Sequence, residues 1–274
     1  MATASQDIYN LPVYVINLDR RPDRWRQFQD LSGIHAFKQI KRWSATDGKT
    51  LDLSGDTRIS LHTRYNIGRN LRRAHHEINT AGAIGASFSH YRVWRDLLDG
   101  SAPGCIVFED DVYLDPEILA RMRSAFSHAP ACDMFLFGNH VWNYKDANLD
   151  KGPYAKVLEF NGAHAYYVSR SFAEVLCANF FPIEQHVEFY IYLTAAAYNR
   201  LIVRHKGLRV SYASEVAGDL DSDTFVSINT CPLCLIPDDM GDGVYMTSQK
   251  IREVAVGVAV ISACTIGYIL GRKA

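Results

Sequence analysis

An α/β fold, a mixed sheet flanked by helices, is predicted by three features of this 274-residue chain. Short runs rich in Val, Ile and Phe recur along it, each the length of a strand buried on both faces. Between them stand segments whose apolar residues repeat at helical spacing. Strand and helix therefore alternate through most of the length, the pattern of a sheet covered by helices.

Val13-Tyr14-Val15-Ile16 reads as the first strand, followed by a polar turn and a helix starting around Pro22, where proline is tolerated in the first turn. Phe37 to Ala45 reads as a second strand that ends in the turn signal Thr46-Asp47-Gly48. From about Gly48 to Ala81 the chain is polar and rich in arginine (Arg58, Arg64, Arg69, Arg72, Arg73), which fits either a solvated excursion or an anion-binding lid. Ser87 to Leu98 has helical spacing, with Phe88, Tyr91, Trp94, Leu97 and Leu98 on one face. A strand over Cys105–Phe108 and a helix near Pro116–Phe126 come next, then a buried strand over Met134–Gly138. After a loop with Trp142, Asn143 and Tyr144, a further strand is expected over Ala163–Val168 and a helix over Ser171–Asn179. Glu188–Asn199 reads as helix, Ile202–Tyr212 as mostly extended, and Ala217–Val244 as loop.

The formal net charge of −1 gives no electrostatic case for nucleic acid as a partner. The six cysteines are scattered, and Cys231-Pro232-Leu233-Cys234 lacks the second pair a zinc site needs. Val254 to Leu270 carries no charge and has basic residues at both margins. At about 1.5 Å per residue that run falls inside the range for a spanning helix, and it shows no polar stripe of the kind a buried helix in a soluble core usually carries. The expected organisation is a main domain over 1–245 and a single-pass C-terminal transmembrane anchor over 250–272, with the main domain cytosolic.

The chemistry concentrates where the run Cys105-Ile106-Val107-Phe108 ends in Glu109-Asp110-Asp111. Three adjacent acids repel one another unless a cation lies among them. Oxygen-only ligands suit hard cations such as Mg²⁺ or Mn²⁺, which are often shared with substrate phosphates. An acidic turn facing solvent is the other reading. The position directly after a buried strand, where open α/β sheets place their sites, favours the metal.

Several strings together resemble the family-25 glycosyltransferases, which include bacterial lipopolysaccharide galactosyltransferases and collagen galactosyltransferases. They are Val15-Ile16-Asn17-Leu18-Asp19-Arg20-Arg21-Pro22-Asp23-Arg24, Ser44-Ala45-Thr46-Asp47-Gly48, Ile84-Gly85-Ala86-Ser87-Phe88-Ser89-His90 with Trp94, and Ile106-Val107-Phe108-Glu109-Asp110-Asp111, with a looser match over Gly162–Ser169. They cover about residues 12 to 225 in the family's order. The resemblance implies a GT-A-type, Rossmann-like fold, a UDP-sugar donor (galactose or glucose), Mn²⁺ or Mg²⁺, and inversion at the anomeric carbon. The acceptor is then a glycan, lipid-linked or protein hydroxyl.

Carried over residue by residue, the resemblance makes Glu109 and Asp111 metal ligands, with Asp111 the direct one. Asp110 joins Asn17, Asp19, Arg20, Asp47, Ser89 and His90 as donor-binding residues. An inverting transfer also needs a base for the acceptor hydroxyl. Glu184, Glu188, Asp221 and Asp223 are candidates, and Glu188 leads because it opens a predicted helix and loosely matches a family acid; capping of that helix is its alternative role. The family often has Glu before its Ile-Gly, where this chain has Ala83, and Ala86 replaces a common Cys. Those departures keep open a second function, an inactive relative serving as a membrane-tethered sugar- or protein-binding module.

Overall fold

Eight strands form one mixed sheet in the order β2-β1-β3-β7-β4-β8-β6-β5. They are β1 (Pro12–Asn17), β2 (Gln39–Ser44), β3 (Gly104–Glu109), β4 (Met134–Gly138), β5 (Lys145–Asn148), β6 (Tyr154–Glu159), β7 (Ala165–Ser169) and β8 (Ile202–His205). The helices are α1 (Pro22–Asp30), α2 (Leu61–Arg69), α3 (Ala81–Asp99), α4 (Pro116–Ser127), α5 (Arg170–Asn179) and α6 (Val187–Ala197). The computed structural model describes residues 7–30, 34–72, 74–139, 145–149 and 152–211. Apart from Arg72, Ala74 and His75, these belong to a single compact unit.

β1 pairs in parallel with β2 and with β3, so three carboxyl ends open on the same edge of the sheet. β7 then runs antiparallel between β3 and β4. Side chains alternate across the pleat and feed two cores. Tyr14, Ile16, Cys105, Val107, Met134, Leu136, Tyr166 and Val168 meet α3, α5 and α6 on one face. Val13, Val15, Ile106, Phe108, Phe135, Phe137 and Tyr167 meet Phe28 of α1 and Leu119, Met122 and Phe126 of α4 on the other. Burial on both faces explains why the central strands read as continuous apolar runs.

Helix ends follow their capping residues. Thr80, Asp115 and Ser169 accept from the backbone N–H three residues on, at Ala83, Ile118 and Phe172. Pro116 occupies the first turn of α4. At the other end of α3, the Arg170 guanidinium donates to the carbonyls of Leu97, Leu98, Gly100 and Ala102, which fixes where that helix stops.

The structure corrects three expectations. α3 begins at Ala81 rather than Ser87, because Thr80 supplies the cap and the lack of a side chain at Gly48 and Gly85 lets the helix start against the backbone of the 46–48 turn. The polar stretch over 48–81 is built into the fold rather than forming a free loop or lid. It contains α2, buries Ile59 and Ile78, and is bridged to the 183–186 segment by Ile59↔Ile183 and Glu77↔Gln185. Arg58 pairs with Asp56 and Arg64 donates to Ser54 O, so these arginines serve the segment itself. The extended segment after Ile202 pairs as a strand only to His205.

The anchor expected over 250–272 lies outside the described residues, as do Cys231 and Cys234. Among the described residues no helix is long and apolar enough to cross a membrane.

Candidate active site

Glu109 closes β3, and Asp110 and Asp111 form the turn that follows. The strand's own pairing puts them in place. Parallel register sets Ile16 beside Glu109, which brings Asn17 at the end of β1 next to Asp110. The backbone N–H of Glu109 donates to His164 O at 2.9 Å, tying the acids to the residues that lead into β7.

Asn17 is 1 % exposed and fully used. Its Nδ2 donates to Asp110 Oδ2 at 2.5 Å and to Arg21 O at 3.0 Å, and its Oδ1 accepts from Arg42 Nε at 2.8 Å. Arg24, buried on the sheet-facing side of α1, lies 3.2 Å from Asp110 Oδ1 and 3.6 Å from Asp111 Oδ2. Arg42 also reaches Asp19 Oδ1 at 3.6 Å, and Ser44 Oγ donates to Asp19 Oδ2 at 2.6 Å. One polar chain thus runs from Asp111 through Arg24, Asp110, Asn17 and Arg42 to Asp19.

The three acids differ in state. Burial pushes the Asp111 carboxyl well above the ordinary aspartate range, and the neighbouring Glu109 charge adds to it. Burial raises Asp110 as well, although Asn17 and Arg24 pull it part of the way back. Burial acts in the same direction on Glu109, but the His90 hydrogen bond, with Arg24 beyond it, outweighs burial and holds this carboxyl below the usual glutamate value.

His90 sits mid-helix on α3, 1 % exposed. Its Nδ1 is 2.9 Å from the Tyr166 hydroxyl and its Nε2 is 3.3 Å from Glu109 Oε1. Trp94 Nε1 donates to the same hydroxyl at 3.0 Å. Both nitrogens of His90 are therefore spent inside the protein, and it acts on the site through Glu109. Tyr166 is fully buried core and offers no face to a sugar.

A second cluster lies at the ends of β1 and β2. Arg20 Nε pairs with Asp47 Oδ2 at 2.6 Å, and Asp47 Oδ1 accepts from Lys49 N at 3.0 Å. Partial burial would raise Asp47, but the Lys49 N–H and Arg20 more than offset it and the carboxyl lies below its ordinary value. Ser89 is buried beneath this turn; it accepts from Thr46 N at 2.8 Å and donates to Gly85 O at 2.7 Å. It shapes the Asp47 loop from below.

Glu188 stands in the first turn of α6, which packs on α3, α5 and β6. The segment leading into α6 is held by His186 N donating to His76 O at 3.1 Å. Ala83 is buried among apolar neighbours of α3, so the side chain at this position faces the core. Trp142, Tyr144, Asp221 and Asp223 lie outside the described residues. Arg24 and Arg42 are the site residues that sequence reasoning assigned no role. The signal for Arg24 was present: it falls four residues before Phe28, on the buried side of α1.

Among the described residues, no group of three or more His, Cys, Asp or Glu side chains is gathered as a metal cage. A hard cation held by one or two carboxylates plus substrate phosphates needs no such cage. Asp111 Oδ1 is buried and accepts no hydrogen bond. An unmet buried carboxylate oxygen at the open end of a strand is the donor such a cation requires, so the residues present fit it.

The sequence model of glycosyltransferase family 25 (LPS biosynthesis protein) matches residues 10–191. A glycosyltransferase 25 family member of Drosophila pseudoobscura pseudoobscura is 30% identical over 129 residues, 46% of this chain and 20% of the relative. Human procollagen galactosyltransferase 2 is 23% identical over 206 residues, 65% of this chain and 32% of the relative. Human inactive glycosyltransferase 25 family member 3 is 27% identical over 117 residues, 40% of this chain and 18% of the relative. The matched segment thus spans between about a fifth and a third of the length of these relatives.

Proposed function

The chain belongs to glycosyltransferase family 25, and from that membership we propose a metal-dependent inverting hexosyltransferase that uses a UDP-sugar, galactose or glucose. The observation that carries this reading is the buried, unpartnered Oδ1 of Asp111 beside Glu109 at the open end of β3. Asp111 would hold Mn²⁺ or Mg²⁺ directly, with Glu109 beside it as a supporting acid. When bound, the cation screens the negative charge that collects on the diphosphate as the sugar leaves.

The chain's own residues divide the remaining work. Asn17 and Arg24 hold Asp110 in place, and contact with the donor ribose is the role assigned to Asp110. Asp19, Arg20 and Asp47 border the nucleoside, on a turn that Ser89 supports. Glu188 takes the proton of the acceptor hydroxyl while that oxygen bonds to the anomeric carbon and the bond to the diphosphate breaks. The acceptor is a glycan, a lipid-linked sugar or a protein side chain, and residues 250–272 anchor the catalytic domain on the cytosolic face of a membrane.

A second reading is favoured by the relatives named inactive in human and Bos taurus. It makes this chain a binding module with the same architecture. Donor hydrolysis by the full-length chain, across a panel of nucleotide sugars with Mn²⁺ and with EDTA, separates the two. Metal-dependent release of UDP from one donor supports the enzyme and names its sugar. Silence across the panel, with UDP and Mn²⁺ failing to raise the melting temperature, sinks it.

A further inference from the structure

We propose that Tyr166 is a positioning residue: its hydroxyl fixes the tautomer of His90, so that the imidazole always presents Nε2–H to Glu109. Donor and acceptor counting leads there. The Trp94 indole N–H can only donate, and it points at the Tyr166 oxygen at 3.0 Å. The Tyr166 hydrogen then needs an acceptor, and the one within reach among the described residues is Nδ1 of His90 at 2.9 Å. A proton on Nδ1 would leave the tyrosine hydrogen buried with nowhere to go, which protein interiors avoid. The ring proton is therefore on Nε2, 3.3 Å from Glu109 Oε1. All three rings are at most 1 % exposed, so water does not relax the choice.

The chain Trp94→Tyr166→His90→Glu109 links the core on the α3 face of the sheet to the end of β3, and it clamps one acid while Asp111 keeps an open oxygen. Outer partners of this kind orient the ligands of a site and set their effectiveness. The tautomer lock stands on geometry alone; its catalytic consequence rests on the glycosyltransferase reading.

The test is long-range ¹H–¹⁵N NMR of the full-length chain, with the His90 signal identified by its loss in His90→Gln. Wild type is expected to show one tautomer, protonated at Nε2; protonation at Nδ1 overturns the proposal without any variant. Tyr166→Phe is expected to give mixed tautomers, and kcat for UDP release is expected to fall by about 10- to 100-fold while donor KM moves less than about twofold. A single Nε2–H tautomer in folded Tyr166→Phe overturns the lock. Mixed tautomers with unchanged kcat overturn the positioning role. Should Tyr166→Phe fail to fold, the wild-type spectrum alone decides the lock, and Trp94→Phe, which leaves the tyrosine hydrogen the same acceptor, is expected to keep the single Nε2–H form; an Nδ1–H form there overturns the counting. A wild type that turns over no donor defeats the functional reading, and the spectrum still decides the lock.

Discussion

Arg24 Nη1 lies 3.2 Å from Asp110 Oδ1, and the two side chains are only 11% and 8% exposed. This cation arrives from the helix after the first strand, while the acid belongs to the turn after the third. Breaking such a pair from one side leaves buried charge uncompensated, at about 3 to 5 kcal/mol. Arg24→Gln is therefore expected to lower stability by about 3 kcal/mol in EDTA. Adding Mn²⁺ is expected to raise its melting temperature more than it raises that of wild type, since a cation near Asp111 substitutes for the lost one. Equal metal-induced shifts in scanning calorimetry count against that substitution.

Asp111→Asn separates function from stability. Turnover should fall by about 100-fold or more, the scale for losing a centre of charge stabilisation. The Asp111 carboxyl is held above its unfolded value, so the folded state binds this proton more tightly than the unfolded chain does. The resulting stability is present below the ordinary aspartate value, about 4, and is lost as pH rises through the raised one. The variant lacks that loss. In EDTA, its stability relative to wild type should therefore grow as pH rises above about 4. Denaturant titrations at several pH values check the sign.

Two glycines on helices should behave oppositely. A Cβ at Gly85 would strike Thr46 O and the Gly48 backbone, while one at Gly68 meets nothing. Gly85→Ala is expected to cost about 1 to 3 kcal/mol and to raise donor KM by displacing the Asp47 turn. Gly68→Ala should add about 0.5 to 1 kcal/mol and leave kinetics unchanged. Melting curves and donor saturation on both variants decide the matter.

Glu188→Gln tests the base. Transfer to an acceptor should drop by about 100- to 10,000-fold while UDP–Mn²⁺ binding, measured by titration calorimetry, stays within twofold. Wild-type transfer in this variant would move the role to another acid.

The central strands were legible because a strand buried on both faces leaves a run such as Cys105–Phe108 that few other structures require. α2 was hidden because its apolar residues Leu61 and Tyr65 are exposed while Thr63 and Asn66 turn inward, leaving Ile67 as its one apolar contact with the core and no apolar stripe to mark it. β5 is an edge strand and β6 lies next to it, where the apolar pattern weakens. The start of α3 was missed because Gly82 and Gly85 look like turn residues, whereas Gly85 is required by a close backbone approach. In the site, consecutive acids with no folding rationale identified themselves. Arg24 did not, because a charged side chain is ordinarily assigned to solvent and only the three-dimensional pairing shows it turned inward. His90 looked like a residue at a helix opening; with α3 starting at Ala81 it lies deep in the packed face.

The reversed direction of β7 has a bearing on how such a protein diversifies. Phe108 pairs with Ala165, and Ala165 also meets Gly138 of β4. The acids are thus bordered by the chain entering β7, a connection that can lengthen or change composition while every strand keeps its register. The half of the sheet from β1 to β3 keeps the acids in place through its parallel pairing. New partner preferences can be grafted on the other half by insertion, with no need to move a single carboxylate.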